Sequence, residues 1–356
     1  MSSRARRLLL VRLSHLGDVV HALPVYHALR LARPEASLAW AVQPEFAGLL
    51  RGLPGLVRTL PFRRRGGARA WLDLRRHLRS FAADWTVDAQ GNAKSAAVTW
   101  LSGAPRRSGW HPSLWTEPLA ARVLNDRTAP LEVEGPLHAV RRALHLARHL
   151  APGVRPEDLP ADLLALNEHE LAGAEERYED LLGQAIAPVI LQLSAPGDVR
   201  AWPVEYQLEL LRLLDREGQA ALVLSGPGEA GLGRRVAEEL ADAGGLRHWV
   251  GQRGLRELAA FFRVAGARGA RLVSVDSGPL HLAAACGLSV LGLAGPQDAR
   301  RTGPWPLPGA DSPHRVLRAP ANLYCAPCLR RRCERPQGVA CMEGIRPEAV
   351  VRALQD

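Results

Sequence analysis

The chain has 356 residues, 47% of them apolar, and a formal charge of +10. That length suits about two domains, and that apolar content excludes a disordered chain. The positive charge is almost all arginine, with Lys94 the sole lysine; it favours anionic partners, but paired zinc-finger histidines, an RNP box and a base-stacking aromatic series are all missing, which speaks against nucleic acid.

The basic N-terminus (Arg4, Arg6, Arg7) leads into an apolar run cut at Arg12, too short for the apolar core of a signal peptide. The longest other apolar run, 280–295, is broken by glycines and falls short of a membrane span. The expectation is a cytoplasmic protein. Residues 8–13 read as a buried strand, followed by the turn Ser14-His15-Leu16-Gly17 and a helix over 18–31. Strands follow at 37–42 and 85–89, with a helix over 92–101. The segment 151–162, rich in proline and acids, reads as a linker.

After a helix over 167–182 the alternation restarts, with strands at 188–193, 220–225, 246–250, 271–275 and 289–294. The helices between them are expected over 204–216, 230–242, 254–265 and 278–286, and a last short helix over 347–354. Strands alternating with helices predict parallel, doubly wound sheets. The expected fold is therefore α/β, with an N-terminal Rossmann-like domain over 1–160, a C-terminal one over 161–340, and a terminal helix in 341–356 that can pack back on the first. The strand ends of both are expected to border a central cleft.

Five segments carry candidate chemistry. In 275–287, Asp276 ends a strand, Ser277 and Gly278 open a helix, and His281 sits in its first turn; such a helix start binds phosphate, although Asp and Ser also cap helices. In Ser14–Asp18, Gly17 suits a tight turn, and Asp18 is either a general base held ionised by the helix N-terminus or only a cap. The loop Asp88–Ser95 carries Gln90, Gly91 and Lys94; a lysine retained among arginines points to a need for a compact ammonium. The basic stretch from Arg58 to Arg79, headed by Arg63 and Arg64, is either a solvated charge run or a mobile loop that clamps carboxylates or phosphates. The segment Gly226-Pro-Gly228-Glu229-Ala-Gly231 fits G-x-G-x-x-G, but the acid required about 20 residues later is missing at 248–252. Near the C-terminus, Cys325, Cys328, Cys333 and Cys341 form a candidate structural zinc set, with a reduced cluster or a redox pair as the alternative.

Taken together, Arg12-Leu-Ser14-x2-Gly17-Asp18-x2-His21, Asp88-Ala-Gln90-Gly91-x2-Lys94-Ser95, Arg200-x-Trp202-Pro203 and Asp276-Ser277-Gly278-x2-His281 resemble glycosyltransferase family 9, the ADP-heptose:lipopolysaccharide heptosyltransferases. The second motif is most like the heptosyltransferase I branch, which adds heptose to Kdo on lipid A. The resemblance implies a GT-B fold, inversion, and no required cofactor or catalytic metal. It implies that Asp18 is the base, and that Ser194, Arg200, Glu229, Arg253, Asp276, Ser277, Gly278 and His281 hold an ADP-sugar. Ser14, Gly17, Arg63, Arg64, Gln90 and Lys94 would hold an anionic glycan or glycolipid. The chain would then work as a monomer, in peripheral contact with the inner face of the inner membrane. Arg200 stands where the family usually has lysine, and 194–198 lacks its threonines. A nicotinamide-dependent oxidoreductase and a non-catalytic nucleotide- or glycan-binding protein are the rival readings.

Overall fold

The computed structural model describes residues 6–63, 65–252, 254–309, 311–335 and 338–355. The chain divides into two compact units, Met1–Ala165 and Leu166–Asp356, so the boundary lies just beyond the expected linker. Among the described residues no helix is long and apolar enough to cross a membrane.

The first unit holds β1 (Arg7–Val11), β2 (Ser37–Val42), β3 (Leu56–Pro61), β4 (Trp85–Asp88), β5 (Arg106–Gly109) and β6 (Asp126–Arg127). They form one parallel sheet in the order β3-β2-β1-β4-β5-β6. The second unit holds β7 (Val189–Gln192), β8 (Ala221–Leu224), β9 (Leu246–Trp249), β10 (Arg271–Val275), β11 (Ser289–Ala294) and β12 (Arg315–Arg318). Their order, β12-β11-β10-β7-β8-β9, is again fully parallel. Read from the opposite edge it repeats the first, so each unit is a Rossmann-type sheet. The central strands are continuous apolar runs, as strands covered on both faces must be. β3, β5, β6 and β12 do not stand out in the sequence, because they are short and carry arginine or other polar residues.

Two helices also escape the sequence reading. Gly67–Phe81 forms where a mobile basic loop was one expectation. Its Leu74, Leu78 and Phe81 recur at helical spacing and are buried in the first core, and that apolar row is what makes the segment a helix. Ala139–Leu150 packs along Leu16–Ala32 through a similar stripe.

The last helix, Pro347–Gln355, packs on Val204–Arg216. Its Val350, Val351 and Leu354 join the core of the second unit. Trp202 ties the same tail down: it is buried, and its Nε1 donates to the Ile345 carbonyl at 2.8 Å. Trp202→Ala should cost about 3–5 kcal/mol in urea unfolding, as large-to-small core changes do. Trp202→Phe should cost less, about 1–3 kcal/mol, since it chiefly leaves one buried carbonyl unpaired.

Candidate functional site

Ligands of open parallel sheets bind beyond the strand C-termini, where the strand order reverses. In the first unit the reversal lies between β1 and β4, so the turn after Val11 and the loop after Asp88 are neighbours. They are stitched together: Arg12 donates to the Ala89 carbonyl at 2.7 Å, and the Leu13 N–H donates to the Gln90 side-chain oxygen at 2.6 Å.

Asp18 lies at the third position of the helix Leu16–Ala32. One carboxylate oxygen accepts the His15 N–H at 3.2 Å, so the capping role is real. The other accepts from the Arg12 guanidinium at 2.5 Å. Arg12 is largely buried, while Asp18 keeps 39% of its side chain exposed. The carboxylate is thus fixed in direction by a charge-assisted bond and still reachable. Arg12 belongs to the opening motif, but the sequence assigns it no task.

The loop after β4 is built on Asp88. This carboxyl is fully buried and accepts the N–H groups of Gln90 and Gly91, both at 2.9 Å, and the Thr99 hydroxyl at 3.2 Å. Gly91 takes φ +73° against the Trp110 ring and Arg142, a conformation that suits glycine. Asn92 then caps the helix Ala93–Ser102. Lys94 stands exposed in the first turn of that helix, with no ion pair among the described residues. Ser14 is half-buried, Gly17 buried and Arg63 exposed; Arg64 lies outside the described residues.

In the second unit the reversal lies between β7 and β10. The Ser194 loop is folded inward: the Ser194 hydroxyl accepts the Trp202 N–H at 3.0 Å, and Gln207 bonds both its backbone groups. Arg200 returns over the strand ends, and its guanidinium donates to the Asp276 carbonyl at 2.8 Å. Asp198 grips the same guanidinium at 2.9 and 2.6 Å. The pairing holds the Asp198 carboxyl below the usual carboxylate range and raises the Arg200 guanidinium. Asp298 grips Arg300 with the same three bonds, from its backbone N–H, Nε and a terminal nitrogen.

The helix Gly278–Ala285 begins beside Asp276. Ser277 does not cap it; its hydroxyl meets Ser274 at 3.0 Å. The helix start therefore presents its N–H groups and positive dipole end next to a guanidinium, an arrangement suited to phosphate. The Asp276 carboxylate accepts from His281 at 3.1 Å and from the Thr302 hydroxyl at 3.0 Å. Arg12, Asp198, Gln207 and Thr302 are residues to which motif reading assigns no role; Arg12, inside the opening motif, and Asp198, two residues before Arg200, lie near enough in sequence to have been suspected.

Glu229 is half-buried and precedes the helix Ala230–Glu239, after β8. The surrounding glycines do not behave as a dinucleotide fingerprint. None takes a positive φ, and a Cβ at Gly228 or Gly231 would meet nothing within 4 Å, whereas the third glycine of that motif is needed for close helix–strand packing. The motif also sits away from the strand-order reversal. Arg253 lies outside the described residues.

The zinc set expected in the tail is not assembled. All four cysteines are free, and among the described residues no group of three or more His, Cys, Asp or Glu side chains is placed to hold a metal ion. Cys341 is buried and its thiol is pushed up to about 11, by burial and then by the neighbouring Cys328. Cys333 is exposed and bonds the Gly338 carbonyl, while Cys325 lies beside Arg335 at 3.9 Å.

Two Rossmann-type units in tandem are the architecture of the GT-B fold. The chain belongs to glycosyltransferase family 9 (heptosyltransferase), whose model matches residues 71–337. It is 31% identical over 339 residues to lipopolysaccharide heptosyltransferase 1 of Pseudomonas aeruginosa, across 92% of this chain and 87% of that protein. The fold is similar to E. coli heptosyltransferase WaaC solved with ADP (TM-score 0.72, 24% identity, 98% of this chain and 99% of that one). It is also similar to the family 9 glycosyl transferase of Veillonella parvula (TM-score 0.76, 19% identity, 99% and 98%).

Asp88 gives a test of how the lysine-bearing loop is held. Burial raises its carboxyl above the ordinary range. The folded chain therefore binds this proton more tightly than the unfolded chain, and its contribution to stability falls as pH rises above the usual carboxylate range. Asp88→Asn, which keeps an acceptor for both N–H groups, should leave stability at neutral pH within about 1 kcal/mol and remove that pH dependence. Asp88→Ala should cost about 2–5 kcal/mol by orphaning buried N–H groups. Urea titrations across pH read both.

Proposed function

We propose that the chain is an inverting transferase that moves heptose from ADP-heptose to an anionic sugar of the lipopolysaccharide inner core. The observation that carries this reading is Arg200 at the Asp276 carbonyl, 2.8 Å away, beside the uncapped start of Gly278–Ala285. A cation and a helix start placed together suit a leaving diphosphate. Heptose and the lipopolysaccharide acceptor are supported by the naming of the Pseudomonas relative, and ADP by the ligand of the E. coli structure. Glu229, at the end of a strand of the same sheet, offers a carboxylate to ribose hydroxyls.

In this reading Asp18 takes the proton of an acceptor hydroxyl as its oxygen attacks the anomeric carbon. The bond from that carbon to the diphosphate breaks on the opposite face, and inversion follows from the single displacement. Arg200 and the helix start meet the charge that develops on the leaving oxygen, so the step needs no metal ion. Asp198 keeps the guanidinium aimed. Lys94, exposed and without an ion pair among the described residues, holds an acceptor carboxylate or phosphate; Ser14, Gly17, Gln90, Arg63 and Arg64 share the acceptor role. Ser194, Arg253, Ser277 and His281 complete the donor side. The reaction is assigned to the cytoplasmic side of the inner membrane.

Asp18→Asn should slow transfer by about 10²–10⁴-fold, the range of a general base, while thermal protection by ADP persists. Near wild-type turnover in the folded variant would leave Asp18 only a cap. Arg200→Ala should abolish most of that protection. Lys94→Ala should lower kcat/KM for acceptor by about 10–150-fold, the loss of one charge-assisted hydrogen bond, with ADP affinity unchanged. Full activity in Lys94→Arg would show that a compact ammonium is not required.

A further inference from the structure

The device that aims Arg200 occurs a second time, and the second copy keeps an open edge. At Arg200 the Asp198 carboxylate takes Nε and one terminal nitrogen, and the other terminal nitrogen donates to the Asp276 carbonyl. At Arg300 the Asp298 carboxylate takes the same two positions, at 3.0 and 2.9 Å. The other terminal nitrogen of Arg300 meets no acceptor among the described residues. A guanidinium held by one edge is fixed in direction, and its open edge can still give two parallel N–H bonds to an oxyanion.

Arg300 lines a hollow of about 120 Å³ at the carboxyl ends of β11 and β12. A single water requires only about 10–15 Å³, so the hollow admits a molecule of several heavy atoms. One wall is the tail from Pro320 to Pro327. The tail is pinned to the end of β11 on both sides of that wall: the Ala319 N–H donates to the Ala294 carbonyl at 3.0 Å, and the Leu329 N–H to the Pro296 carbonyl at 2.8 Å. Two further donors line the hollow, Arg318 at the end of β12 and Gln297 in the loop after β11. The Gln297 amide is half-buried and makes no hydrogen bond among the described residues. Asp298 is the one carboxylate in the lining. Its pairing with Arg300, and after that the charge of Arg318, hold its carboxyl below the usual carboxylate range. Two guanidinium groups against one ionised carboxylate leave the lining net positive.

We propose that this hollow binds a phosphate group, as a second anion site of the unit that uses neither Arg200 nor the start of Gly278–Ala285. Two guanidinium groups and an amide, from three separate points of the chain, suit a tetrahedral dianion with several oxygens to satisfy. A planar carboxylate is satisfied by a single fork. The donors are not those assigned to the nucleotide sugar, so the site is independent of the proposed transfer. The same chemistry can arrive as free inorganic phosphate or as the phosphate ester of a sugar.

The test is thermal protection of the full chain across a titration with inorganic phosphate, and then with glucose 6-phosphate, at constant ionic strength. Phosphate also suits the cation and helix start at Arg200, so the background is Arg200→Ala, in which phosphate should still protect. Adding Arg318→Gln should weaken that binding about 10–150-fold, the loss of one charge-assisted hydrogen bond. Adding Gln297→Ala should weaken it about 2–12-fold, the loss of a neutral one. Arg318 is exposed, so unfolding without phosphate should match the background. Equal protection by glucose 6-phosphate supports the site as one for phosphate esters, and exclusion of the ester supports it as one for the free ion. Loss of all phosphate protection in Arg200→Ala alone overturns the proposal, since every phosphate then binds at Arg200. Protection that neither added substitution weakens overturns it as well.

Discussion

Everything at the two candidate sites depends on the point in each sheet where the strand order turns back. β1 and β4 are neighbours, as are β7 and β10, although 73 residues separate Val11 from Trp85 and 78 separate Gln192 from Arg271. Chains leaving two such strands depart to opposite sides, which opens a crevice at their carboxyl ends. Asp18 and the Lys94 loop sit at one such place, Arg200 and Asp276 at the other. Moved one strand along, the same motifs would face a helix.

Within those places, acids aim the cations. Arg12 is joined to Asp18, Arg200 to Asp198 and Arg300 to Asp298. The last two pairs repeat one local device, in which a carboxylate binds the backbone N–H and one edge of the guanidinium, Nε and a terminal nitrogen, of an arginine two residues later. Arginine has a planar fork that such a carboxylate can orient, whereas an ammonium cannot be fixed in this way. An arginine held in this way points its charge in one direction. Lys94, which no carboxylate among the described residues holds, is the contrast.

Two sequence patterns are best understood from their setting in the fold. The G-x-G-x-x-G segment matches in letters, but Gly231 faces open space, so nothing there requires a residue without a side chain. The cysteine spacing suggests four metal ligands or a reduced cluster; Cys341 packs into the core with Met342 and Ile345, and Cys333 is at the surface. That packing braces the site from beneath: a Cβ on Gly295, in the loop after β11, would collide with Met342.

The sequence by itself determined the alternation of strand and helix, and it determined which strand ends carry polar, glycine-containing loops. Both are local: continuous apolar runs mark buried strands, and the motif residues are close together in the chain. It also held the compositional oddity of Lys94. It could not supply the basic helix over Gly67–Phe81, whose buried row of Leu74, Leu78 and Phe81 is interleaved with four arginines, or the polar strands β3, β5, β6 and β12, which are recognisable only beside their neighbours. Nor could it assign Arg12, Thr302 or Gln207, because each acts through a partner that folding brings near: Arg12 on the Ala89 carbonyl, Thr302 on Asp276, Gln207 on Ser194. Only the tertiary structure decided these, since strand order and the pairing of distant loops follow from how whole layers bury their apolar faces, and no short stretch of sequence contains that information.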